Sequence, residues 1–215
     1  MLLLVRHGQS QANAAGLLVG RADSPLTELG LRQAAALGSA LARPTPPVCR
    51  ILTSPLQRAE ETAEAIAAGF EAASAPAGAD GRGHRPQLSR DGRFIELDYG
   101  ELDGRTPSEL PAGLWDNWCS DPSWRPPGGE TLAEVMARVA SACDELSSEA
   151  ALGDVVVVCH VSPIKAAVSW ALGAGPELSW RLSLGVASIT RIATGGRRGP
   201  SLVSFNETAH LGEVR

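Results

Sequence analysis

At 215 residues, 44% hydrophobic and 20% charged, the chain carries enough apolar material for one sizeable core and predicts a single domain over 1–215. Nineteen basic against 24 acidic residues give a net charge of −5. That balance argues against a general nucleic-acid or membrane binder and leaves room for a local basic pocket that takes a small anion. The basic residues are Arg with one exception, Lys165. The opening apolar run Met1–Val5 ends at Arg6 and His7, so no signal peptide is expected, and no run approaches the ~18 residues of a membrane span. Cys49, Cys119, Cys143 and Cys159 are scattered without a Cys-x-x-Cys pair. They read as reduced thiols of a cytoplasmic protein, not as a disulfide frame or a zinc site.

Short β-branched runs alternate with longer helical periods. Leu2–Val5 predicts a buried first strand. A helix is expected from Leu26 or Thr27 to about Ala42. Cys49–Thr53 predicts the second strand, and Ser54-Pro55 with Gln57 is an N-cap, first-turn proline and capping-box partner for a helix reaching Phe70. Residues 72–92, rich in Ala, Gly, Pro and Arg without an apolar period, predict a mobile surface loop. Residues 105–130 place Trp115, Trp118 and Trp124 among prolines and glycines. That segment reads as a lid, or equally as core, with Thr106 and Glu109 capping a short helix that carries Trp115 and Trp118 on one face. Thr131 and Glu134 repeat the capping-box spacing ahead of an apolar stripe through Leu146. Val155–Cys159 is a continuous run suited to a strand covered on both faces. Ser162-Pro163 opens a helix ending near Gly173, and Val186–Ile192 and Leu202–Phe205 supply two more strands. The alternation predicts a three-layer α/β/α sandwich with a mainly parallel sheet.

Ligands of such sheets bind at the carboxyl ends of the strands. One strand here ends in Arg6-His7-Gly8, a second in Thr53-Ser54-Pro55 with Arg58 one turn on, and a later one in Cys159-His160. Two Arg, two His and at least two helix N-termini are thereby expected in one crevice, which is a site for a phosphate dianion. A neutral imidazole can attack phosphorus while guanidiniums hold the equatorial oxygens, and a carboxylic acid can protonate the departing alkoxide. Glu96, in the short apolar segment Phe94–Gly100, suits that last task.

These residues carry a resemblance. Arg6-His7-Gly8, Asn13, Thr53-Ser54-Pro55-x-x-Arg58-Ala59-x-x-Thr62, Glu96-x-x-Tyr99-Gly100-x-x-x-Gly104, His160 and the tail Phe205–Leu211 resemble the histidine phosphatase superfamily, also called phosphoglycerate mutase-like. The stretch Cys159–Lys165 is closer to its acid phosphatase and α-ribazole phosphatase branch. The resemblance implies His7 as a nucleophile that forms phosphohistidine. It implies Arg6, Arg58 and His160 as the groups that bind and stabilise the phosphoryl group, assisted by Asn13. Glu96 matches the proton donor, and no metal or other cofactor is implied. Val161 stands where the family usually has Gly, Gln9 and Ala12 replace the Glu and Trp of many mutases, and no basic insertion follows the Glu96 segment.

Two other arrangements fit less well. Cys119 and Arg125 have Cys-x5-Arg spacing, but the loop between them holds Asp121 and Pro122, wrong for an anion. A zinc site from His7, His160 and Glu96 would sit against two guanidiniums. His84 is expected to be inert, and His210 to be a structural hydrogen-bonding residue. The expected function is metal-independent hydrolysis of a small phosphorylated metabolite, with no nucleic-acid or membrane partner. The alternatives are a phosphoglycerate mutase-type phosphotransferase and a non-catalytic phosphate-binding relative.

Overall fold

The computed structural model describes residues 1–42, 47–74, 86–121 and 123–214. Six strands, β1 (Leu2–Arg6), β2 (Val48–Thr53), β3 (Gln87–Arg90), β4 (Asp154–Cys159), β5 (Ile189–Ala193) and β6 (Ser201–Glu207), form one sheet in the order β3-β2-β4-β1-β5-β6. The first four in that order pair in parallel, and β5 pairs antiparallel with both β1 and β6. The helices are α1 (Gln11–Ala14), α2 (Glu28–Leu41), α3 (Gln57–Ser74), α4 (Leu114–Ser120), α5 (Leu132–Leu152) and α6 (Val161–Leu172). No helix among the described residues is long and apolar enough to cross a membrane.

Strand periodicity builds the layers. In β1, Leu2 and Leu4 join the core under α5 and α6, while Leu3 and Val5 join the core under α2 and α3. In β4, Val155, Val157 and Cys159 face the first core and Val156 and Val158 the second. Both central strands are covered on both sides, which is why they are continuous apolar runs. The capping box of Thr131 and Glu134 starts α5 as its spacing predicts, and Gly173, at φ 61°, ends α6.

Several boundaries differ from the expectation, among them β5, which starts at Ile189 and not at Val186. Helix α3 starts at Gln57, because Ser54 Oγ meets the Leu56 N–H at 3.4 Å and is shared with another partner described below. The loop expected over 72–92 is shorter at both ends. Helix α3 runs to Ser74, and Gln87–Arg90 pair with β2 as a sheet edge. That edge strand is mostly solvated and carries no apolar period. Its remainder, 75–85 with His84, lies outside the described residues. The capping box of Thr106 and Glu109 closes a single 3-10 turn, Pro107–Glu109, and the tryptophans sit instead on α4, which begins after Gly113.

The two tryptophans of α4 differ in burial. Trp118 is 1% exposed and packs on Tyr99 and Trp124, whereas Trp115, stacked on it at 5.9 Å, is 45% exposed. Trp118→Ala is therefore expected to cost about 3–5 kcal/mol of stability by opening a core cavity. Trp115→Ala is expected to cost about 1 kcal/mol or less, being half solvated. Denaturant unfolding of the two variants checks the difference.

Candidate active site

The site follows from strand register. Parallel pairing sets Arg6 opposite Cys159 and Thr53 opposite Val158. The next residues along these strands, His7, Ser54 and His160, therefore meet at the carboxyl edge. The two imidazoles lie with ring centroids 5.0 Å apart, and both are buried. Arg58, on the first turn of α3, reaches the same point, its Nε donating to His7 Nε2 at 3.3 Å.

Backbone carbonyls hold His7, Arg58 and Arg6. His7 Nδ1 donates to Gly8 O at 2.7 Å, which leaves Nε2 as the lone-pair nitrogen facing Arg58. Arg58 is gripped by two carbonyls, Nη1 to Ala22 O at 2.9 Å and Nη2 to Gly20 O at 2.6 Å. Arg6 Nη1 donates to Leu184 O at 2.5 Å, while its buried Nε has no hydrogen-bond partner. His160 Nε2 lies 2.7 Å from Ser54 Oγ. Ser54, already accepting from Leu56 N–H, is free to donate to that nitrogen. The ring proton then sits on Nδ1, which is buried and without a partner. Gly8 permits this assembly: a Cβ there would stand 2.5 Å from Gly30 O of α2.

Burial first, then the charges of Arg58 and Arg6, hold His7 well below the ordinary histidine range. Burial, then His7 and the same two guanidiniums, do so for His160. Both rings are therefore neutral near pH 7. On unfolding, each takes up a proton below about pH 6.5 that the folded chain refuses. Stability is thus expected to fall as pH drops through that value, by up to about 1.4 kcal/mol per pH unit per ring. His210, lowered by burial, acts in the same direction. Denaturant unfolding at pH 7.5 and 5.5 measures the loss. Ring resonances of His7 and His160 that titrate near pH 6.5 would contradict it.

Glu96 joins the group from a clamped segment. Arg138 of α5 donates to Arg93 O at 2.5 Å and Glu96 O at 3.4 Å, and pairs with Glu130 at 2.8 Å. The buried Glu96 carboxylate accepts Val161 N–H on Oε2 and Ser162 N–H on Oε1, both at 3.1 Å, with Leu97 N–H also on Oε1. This corrects one expectation about the anion site. The free amides of α6 point at Glu96, and the Gln57 amide of α3 donates to Asp23 Oδ1 at 2.9 Å. The positive field of the crevice thus comes from guanidiniums, with the helix N-termini occupied by carboxylates. Val161, in place of the usual Gly, keeps its N–H for Glu96.

Asn13 sits in α1, where its Oδ1 accepts Ser10 N–H at 3.2 Å, so its Nδ2 amine is what it has to offer an anion. The tail residues act through backbone. Asn206 Oδ1 accepts Gly185 N–H at 2.8 Å and His210 Nε2 donates to Ala187 O at 2.9 Å. They fasten the loop whose Leu184 O holds Arg6 and whose Ala187 N–H donates to His7 O. His210 thus makes a hydrogen bond of the kind expected of it. Cys119 is exposed, and Arg125 pairs with Glu134.

A cavity of about 200 Å³ adjoins the crevice, with Val161 and Ser162 in its wall beside Trp115, Trp118, Trp180 and Lys165. Trp180 and Lys165 are absent from the sequence expectation. Trp180 lies on a 3-10 turn, Pro176–Arg181, with no amphipathic period to mark it. The signal for Lys165 was its singularity.

Known proteins resemble the chain over nearly its whole length. The chain is 34% identical over 214 residues to a bifunctional protein of Mycobacterium tuberculosis (strain ATCC 25618 / H37Rv), covering 98% of this chain and 54% of that one, so it spans about half the length of that relative. It is 32% identical over 217 residues to a putative phosphoserine phosphatase 2 of Hydrogenobacter thermophilus, covering 99% of this chain and 98% of the relative. A solved phosphoserine phosphatase mutant of Entamoeba histolytica in complex with phosphoserine superimposes with a TM-score of 0.80 at 26% identity, covering 98% of each chain. The profile of the histidine phosphatase superfamily, branch 1, matches residues 2–208, and the chain belongs to that superfamily.

Proposed function

We propose that this chain is a metal-independent phosphomonoesterase that hydrolyses a small phosphorylated metabolite through a phosphohistidine on His7. The observation that carries the reading is the neutral His7 ring, Nδ1 tied to Gly8 O and Nε2 set against the Arg58 guanidinium. A phosphoryl group attacked by Nε2 comes to rest among Arg6 Nε, Arg58 and His160 Nδ1, and Asn13 Nδ2 adds a donor. Glu96, when protonated, gives its proton to the leaving alkoxide. As the carboxylate it then takes one from the water that splits the P–N bond and regenerates His7. Arg6 and Arg58 already supply the positive charge and would repel a divalent cation, which supports a metal-free route.

Phosphoserine phosphatases among the relatives support a small substrate, the scattered cysteines support a cytoplasmic enzyme, and the acidic balance argues against nucleic-acid or membrane partners. Phosphate release from alkyl and aryl phosphates in EDTA tests the reading, and activity is expected to persist. Loss in EDTA restored by Zn2+ or Mg2+ would overturn the metal-free route. Transfer between glycerate positions without net release would favour the mutase, and neither activity would favour a binding protein.

A further inference from the structure

The cavity beside the crevice has no part in phosphoryl transfer, yet it shares the first turn of α6 with it. The N–H groups of Val161 and Ser162 hold Glu96, and the same two residues line the cavity. A leaving-group oxygen protonated by Glu96 therefore has its own substituent directed toward this space. About 150 Å³ of apolar cavity takes a benzene ring, so about 200 Å³ takes one substituted ring. The indoles of Trp115 and Trp180, 6.4 Å apart and nearly perpendicular, supply flat apolar walls.

One charge enters this aromatic space. Lys165 is half-buried and lines the cavity, and among the described residues its ammonium has no ion pair or hydrogen bond. Burial pulls it below the ordinary lysine range, with Glu96 opposing. Glu96 itself is engaged by three N–H groups. An ammonium left over at the wall of a largely apolar cavity is a donor for an acceptor that the ligand brings. A single ammonium balances a monoanion, whereas a second phosphate dianion would leave charge uncompensated in an apolar space.

Building on the phosphatase reading above, we infer that this cavity is a leaving-group subsite for phosphomonoesters bearing a carboxylate on a flat apolar body, with Lys165 as the carboxylate's partner. The test compares 3- and 4-carboxyphenyl phosphate with the corresponding carboxamides, whose phenols are close in acidity. The native protein is expected to favour the better-fitting carboxylate about tenfold or more in kcat/KM, mostly through KM, as one desolvated ion pair allows. Lys165→Met is expected to bring that ratio close to one, with Lys165→Arg restoring part of it. No preference in the native protein overturns the subsite. So does a ratio unchanged in Lys165→Met, including the case in which both substrates slow equally because Lys165 acts through Glu96. Turnover of none of the four esters by the native protein would instead overturn the phosphatase reading itself.

Discussion

His7→Ala is expected to lower kcat by about three orders of magnitude or more, because it removes the covalent route and not merely a contact. The fold should survive. The residue's structural bonds run through its backbone, His7 N–H to Cys159 O at 3.1 Å and Ala187 N–H to His7 O at 3.0 Å, and an alanine keeps both. Two side-chain hydrogen bonds are lost, to Gly8 O and from Arg58 Nε, together worth about 2–4 kcal/mol, or several degrees of melting temperature in a chain of this size. The variant should still bind inorganic phosphate, since Arg6, Arg58 and His160 remain in place. A drop in turnover below about tenfold, with the protein folded, would mean that His7 is not the nucleophile.

Glu96→Gln is expected to separate proton transfer from phosphoryl transfer. An alkoxide cannot leave without a proton, so hydrolysis of an alkyl phosphate should fall about 10²–10⁴-fold. An aryl phosphate with an acidic phenol departs as the anion and should lose much less in its first step. The substitution also turns one of the two acceptor oxygens into an NH2 donor; with the retained oxygen on Ser162 and Leu97 N–H, that NH2 faces Val161 N–H, at a cost of about 1–3 kcal/mol in stability. Retained aryl phosphate turnover then shows that the pocket is intact. Equal losses on both substrates, with chemistry rate-limiting, would remove Glu96 from the role of general acid.

The parts of the site that were legible in the sequence are those fixed by strand ends. Buried parallel strands are continuous apolar runs, so the polar residues that end them stand out. Register then brings His7, Ser54 and His160 together without further information. What was not legible is mostly backbone. The carbonyls of Gly20, Ala22 and Leu184 that hold the guanidiniums carry no side-chain signature. Arg138, which clamps the Glu96 segment to α5, is one Arg among eighteen. The helix N-termini misled for a related reason: a cap spacing shows where free amides are, but not which carboxylate from a distant segment will take them. Edge strand β3 was missed because a solvated Gln-Leu-Ser-Arg has no apolar face to announce it.

The central claim is the covalent bond between phosphorus and His7. The direct measurement is a rapid alkaline quench of the native protein turning over a 32P-labelled phosphomonoester, followed by peptide mapping. The account predicts label on the peptide containing His7, stable in alkali and lost in acid, as a phosphoramidate behaves, and absent from His7→Ala. Label that survives acid, or that maps to Cys119 or any residue other than His7, would contradict it.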